Sequence, residues 1–176
     1  MHNGVYLHYV KNSKMKLFFP LLFTFLLGSC SQTFYVVRHA EKAAPPAGNM
    51  MSTDVPLSEA GKQRAERLKE LLKDKKIRLI YSTNTIRTKA TAQPTADYFN
   101  IPIAIYGARP DSAFIHLLMA QKKNTLVVGH SNTVDDIVNM LCNEIKIPGD
   151  LNDPDYDNLF VIKRKGKKFI FHNDKF

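Results

Sequence analysis

The sequence lacks most of the features that would decide its class at once. Its 176 residues hold two cysteines, Cys30 and Cys142, too few for a disulfide framework. No H-E-x-x-H or comparable ligand run occurs, so a metal hydrolase is not indicated and no metal or other cofactor is expected. The G-x-S-x-G elbow of a serine hydrolase is missing too. There is no internal repeat and no low-complexity tract. No recognised nucleic-acid motif and no interleaving of aromatic with basic residues appears, so nucleic acid is not an expected partner. Acids are scarce, 16 against 25 lysines and arginines, giving a formal charge of +9. Without Lys11, Lys14 and Lys16 the surplus is still +6, which suits an anionic substrate or an acidic membrane surface.

A long hydrophobic run is also lacking. The apolar stretch Leu17 to Leu27 falls well short of the about 20 residues that span a bilayer. Preceded by Met15-Lys16 and followed by small residues, it has the layout of a secretory signal. Leu27-Gly28-Ser29-Cys30 resembles the lipobox of bacterial lipoproteins, in which the cysteine carries the lipid. The expectation is a signal with an upstream extension over residues 1–29, Met15 being the true start, and one domain over residues 30–176. The chain would then be exported and lipid-anchored in the bacterial cell envelope through Cys30, leaving Cys142 no partner. Cys142 itself completes the series Val134, Ile137, Val138, Leu141, one helix face, and reads as a small core residue.

What is present is an ordinary globular composition, 44% hydrophobic and 23% charged, in a chain long enough to bury a core. Strands are expected at Phe34–Val37, Ile77–Tyr81, Ile103–Tyr106 and Thr125–Val128. Helices are expected from the Ser58 cap to about Asp74, from Thr85 to Phe99 with a bend at Pro94, from Ser112 to Lys122, and up to Cys142. Leu159–Arg164 and Lys168–Phe171 read as a C-terminal hairpin. This alternation predicts a three-layer α/β/α sandwich with a mainly parallel sheet, and ligands bind such sheets at the carboxyl ends of the strands.

At those ends stand Arg38 and His39, then Ser82 to Arg87, then Gly129-His130-Ser131. Two guanidiniums converging in one pocket call for an anion between them, and their planar forks suit phosphate. Histidine can attack phosphorus while neutral and carry the phosphoryl group. The residues therefore point to metal-free phosphoryl transfer through a phosphohistidine.

Four segments resemble the histidine phosphatase superfamily, which includes phosphoglycerate mutases, acid phosphatases and small phosphohistidine phosphatases. Val37-Arg38-His39-Ala40-Glu41 is similar to its R-H-G signature, with alanine in place of glycine. Asp54 to Gln63 is similar to D-x-x-L-T-x-x-G-x-x-Q. Tyr81-Ser82 through Arg87-Thr88 and Thr91-Ala92 resembles the segment of the second phosphate arginine, and Val127 to Ser131 that of the second histidine. The resemblance implies a phosphatase acting on a small phosphorylated molecule or a phosphoprotein, with His39 as nucleophile and Arg38, Arg87 and His130 holding phosphate. By position Asp111 resembles the family's acid after the third strand, and Glu41, beside the nucleophile, is its rival. A mutase-like phosphotransferase and a phosphate-binding module of low turnover are the alternatives. His116, in an apolar helical segment, and His2 and His8, ahead of the signal, are set aside. The basic run Lys163 to Lys168 could touch anionic lipid, but a solvated hairpin tip is the preferred reading.

Overall fold

The computed structural model describes residue 1, residues 31–45 and residues 54–176. The signal, Cys30 and most of the loop between Ala43 and Thr53 lie outside the described residues. The chain forms β1 (Ser31–Arg38), α1 (Glu59–Leu72), β2 (Leu79–Ser82), α2 (Ile86–Phe99), β3 (Ile103–Ile105), α3 (Ser112–Ala120), β4 (Thr125–Gly129), α4 (Val134–Cys142), β5 (Asn158–Lys165) and β6 (Lys168–Lys175).

The six strands make one sheet in the order β3-β2-β4-β1-β5-β6. β1, β2, β3 and β4 run parallel, while β5 is antiparallel to β1 and to β6. Alternate residues of β1 explain the layers. Phe34 and Val36 face one core with Ile115 and Leu118 of α3 and Ile137 and Leu141 of α4. Tyr35 and Val37 face the other with Leu68 and Leu72 of α1 and Ala92 and Ala96 of α2. A strand buried on both sides has to be apolar at successive positions, as FYVV is. The expected three-layer architecture with its hairpin is what the chain adopts.

Boundaries moved for local reasons. α1 tightens into a 3₁₀ turn at Lys73–Lys75 and ends at Lys76 with φ 52°, so β2 starts two residues later than expected. Ile77 is still fully buried. Pro94 lies inside α2 without ending it. The hairpin is longer than expected, reaching Lys175 and turning at Gly166, whose φ of 60° favours glycine.

α1 starts against the exit of β1. Ser58 caps it by accepting from the Gly61 amide, and the Ser58 amide donates to Glu41 O at 2.9 Å. A side chain at Gly61 would place its Cβ 2.2 Å from that carbonyl. The glycine of the L-S-x-x-G stretch is thus required by a backbone approach directly behind the segment that follows β1. Among the described residues no helix is long and apolar enough to cross a membrane.

Candidate active site

The carboxyl ends of β1, β2 and β4 surround a cavity of about 620 Å³ lined by Arg38, His39, Arg87 and His130. All four of the residues expected to handle phosphate meet there. The His39 and His130 rings are edge to face, 5.4 Å between centroids.

His39 is buried, and its amide donates to Gly129 O at 2.9 Å, locking the ends of β1 and β4 together. Its Nδ1 lies 2.8 Å from Ala40 O. A carbonyl only accepts, so Nδ1 carries the proton and Nε2 keeps its lone pair. Burial is the main cause that lowers the His39 pKa to about 3; the charges of Arg87, His130 and Arg38 add to it, against the bond to Ala40. An imidazole neutral at physiological pH is the outcome. The Ala40 amide in turn donates to Thr91 Oγ1, which donates to Arg87 O. Thr91 therefore couples the backbone next to His39 to the helix that carries Arg87.

His130 is similarly neutral, its pKa lowered to about 4 by burial and then by Arg87 and Arg38, with Asp54 opposing. Arg87 Nη2 lies 3.3 Å from Nδ1 and can only donate, so Nε2–H donates to Thr83 Oγ1 at 2.9 Å. Thr83 passes the chain on to Thr88 Oγ1. Arg87 sits in the first turn of α2, 3.5 Å from Asp54 Oδ1, which also accepts from the Ile86 amide.

Arg38 has a side chain only 4% exposed. Its Nη1 donates to Asn152 O at 3.0 Å, its Nη2 to Asp153 Oδ1, and its guanidinium lies 4.2 Å from the centre of the Tyr156 ring. Its Nε is buried without a hydrogen-bond partner among the described residues. The connection between α4 and β5 thus folds back on the site, fixed also by Leu151 N to Ser131 O at 2.9 Å.

The candidate acids fare differently. Asp111 caps α3, accepting from the Phe114 amide at 2.8 Å, and does not line the cavity. The geometry points away from it, because its carboxylate is spent on a helix end. Glu41 is gripped by Arg64, with contacts of 2.6 to 2.9 Å from Nε and Nη2. Burial would raise its pKa, but the Arg64 bonds and the charges of Arg64 and Arg67 outweigh that and hold it low. Its carboxylate is committed to Arg64 and does not line the cavity. Asp153 does line the cavity. Its hydrogen bond to Arg38, and then the charge of Arg38, hold it below the ordinary carboxylate range. Sequence reasoning did not single out Asp153 or Tyr156, and it placed Thr83 only as part of the stretch Ser82 to Arg87.

The two depressed histidines make stability depend on pH. Their folded-state values lie below the ordinary 6.5. The unfolded chain therefore binds more protons between about 6.5 and 3, and stability is full above 6.5 and lost as pH falls through that window. Urea unfolding at pH 7.5, 6.0 and 4.5 is expected to show declining stability, and His39→Asn should flatten part of the decline. An equally steep decline in that variant would contradict the burial of a neutral His39.

The sequence profile of the Histidine phosphatase superfamily (branch 1) matches residues 34–108. Among solved structures, the protein assigned as phosphohistidine phosphatase SixA of Agrobacterium tumefaciens is 26% identical, with 78% of this chain and 96% of that one covered and a TM-score of 0.57. The protein histidine phosphatase SixA complexed with tungstate is 19% identical over 81% of this chain and 96% of its own, with a TM-score of 0.62. Phosphoserine phosphatase of Entamoeba histolytica in complex with 3-phosphoglyceric acid is 14% identical over 82% and 98%, with a TM-score of 0.60. At such identities the last two speak for the fold alone. A search of curated proteins found no match.

Proposed function

We propose that this chain, for which the profile match and the structural neighbours support the histidine phosphatase superfamily, is a metal-independent phosphatase that hydrolyses a phosphomonoester or phosphoprotein through a phosphohistidine at His39. The observation that carries the reading is a neutral His39, its Nδ1 committed to Ala40 O, in a cavity walled by two arginines. Arg38 and Arg87 supply the positive field that a divalent ion supplies elsewhere, and His130 completes the phosphate seat when its Nε2–H turns from Thr83 to a phosphate oxygen. Nε2 attacks phosphorus, and the bond to the leaving oxygen breaks with its electron pair passing to that oxygen. Water then attacks the phosphohistidine, and the P–N electron pair returns to Nε2. Proton transfer in both steps is assigned to Asp153, the carboxyl that shares the cavity with these groups.

Hydrolysis is preferred to a mutase-like transfer because a mutase must keep water from its phosphoenzyme. Among the described residues, the links around the cavity carry no additional helix or strand to close over it. A lipid on Cys30, supported by Leu27-Gly28-Ser29-Cys30, would hold the enzyme on a membrane of the bacterial envelope, where it would meet exported phosphorylated substrates.

The purified chain, dialysed against a chelator, is expected to release phosphate from an aryl phosphate as fast as the untreated protein does. Absence of hydrolysis, or a requirement for restored metal, would overturn the reading.

A further inference from the structure

We infer that the edge of the sheet opposite the active site is a docking surface for an anionic bilayer. Topology assembles it from three connections that are far apart in sequence. β1 starts at Ser31, which pairs with Lys165 at the end of β5, and Lys165 pairs with Lys168 across the hairpin turn. The Lys73–Lys75 turn leads into β2, and Lys122-Lys123 leads into β4, which lies between β2 and β1, so both sit at the edge where the parallel strands start. Hydrogen bonds hold them together there. Asn124 Oδ1 accepts from the Thr33 amide at 3.0 Å, Asn124 Nδ2 donates to Lys75 O at 2.7 Å, and Gln32 Nε2 donates to Lys123 O at 3.2 Å.

The segments 73–78, 121–124 and 163–168 carry eleven of the chain's 25 lysines and arginines and one acid, Asp74. Lys75, Lys76, Lys122, Lys123, Lys165, Lys167 and Lys168 are all exposed. Of the acids at neighbouring helix ends, Glu70 and Glu144 are already paired, with Lys73 and Lys146. The basic surplus noted in the sequence is therefore concentrated on one edge and is not a uniform coat.

Its place selects the partner. Ser31 is the residue after Cys30, so a lipid there would emerge at this same edge. β1 then runs eight residues from Ser31 to Arg38, roughly 25 Å at about 3.3 Å per residue. A bilayer seated on the lysines would leave the cavity facing away from the membrane, open to soluble substrates. Juxtamembrane lysines gain about 1 kcal/mol each near an anionic surface, and that attraction fades within a Debye length.

The choice of a bilayer rests on the reading of Cys30 as the lipid-bearing residue, and the test keeps the two apart by using the full chain with Cys30→Ser, which has no lipid to contribute. Its binding to vesicles of phosphatidylglycerol and phosphatidylcholine is compared with binding to phosphatidylcholine alone, with and without Lys165→Glu, Lys167→Glu and Lys168→Glu together. The charge changes are expected to weaken binding to the anionic vesicles about 100-fold, to leave binding to neutral vesicles as it was, and to lose their effect near 1 M salt. A second set, Lys75→Glu, Lys76→Glu, Lys122→Glu and Lys123→Glu, should act in the same direction, because the edge works as a unit. Melting temperatures close to the parent's identify variants that have folded. Equal binding of parent and variants to anionic vesicles would overturn the proposal. So would charge changes that abolish retention on duplex DNA while leaving vesicle binding intact.

Discussion

Replacing His39 with alanine is expected to abolish turnover, with a loss on the order of 10⁶-fold in kcat, the scale seen when an enzyme loses its nucleophile. No neighbour can substitute. His130 has both ring nitrogens engaged, Nδ1 by Arg87 and Nε2 by Thr83, and its Nε2 proton occupies the position a lone pair would need. In the parent, rapid quenching with a labelled substrate should trap a phosphoenzyme that survives alkali and decays in acid, as a phosphoramidate does. The variant should form none. Folding should be retained, because the imidazole sits at the end of β1, beyond the packed residues Phe34 to Val37. Substantial turnover by His39→Ala in a folded protein would remove the covalent mechanism altogether.

What the sequence allowed to be read follows from the direction of the strands. Arg38, Arg87 and His130 could be gathered on paper because each follows a parallel strand, and parallel strands deliver their ends to one edge. Asp153 and Tyr156 escaped the same reasoning because they precede a strand. β5 is antiparallel to β1, with Leu159 opposite Val37, so its beginning, not its end, lies at the site. The signal was available in principle: a hairpin after a parallel sheet must bring its first connection back to the active edge.

Asp111 stands away from the cavity for a different reason. In Pro110-Asp111-Ser112-Ala113-Phe114 an aspartate precedes an apolar helix, which is the pattern of an N-cap. A capping carboxylate is directed at the helix amides. Of the basic edge only the hairpin run Lys163 to Lys168 could be read, since Lys75, Lys123 and Lys165 are neighbours only once strand order is known.

Reassigning the acid leads to the second large effect. Asp153→Asn is expected to lower kcat/KM for an alkyl phosphate some 10²- to 10⁴-fold more than for an activated aryl phosphate, the usual worth of general-acid help. An alkoxide leaves badly without a proton, whereas a stabilised phenolate departs without one, so the ratio between the two substrates reports the proton alone. The obstacle is that Arg38 keeps Asp153 ionised in the free site. A bound phosphate changes this balance. It competes for the donors of Arg38 and places its own negative charge beside the carboxylate, and like charges sharing a site drive one of them to take a proton. A monoanionic phosphate ester brings that proton with it, passes it to Asp153, and receives it back at the leaving oxygen. In the second step Asp153 takes a proton of the attacking water and hands it on to a phosphate oxygen, so that the product departs as the phosphate monoanion and Asp153 is ionised again. Tyr156 OH lies 3.4 Å from Asp153 Oδ1, which leaves Oδ2 for the transfer. Asp111→Asn, which can still cap α3, and Glu41→Gln serve as controls and should not change the substrate ratio. A selective loss in either control, with Asp153→Asn hitting both substrates equally, would return the acid to that residue and leave Asp153 only the task of holding Arg38.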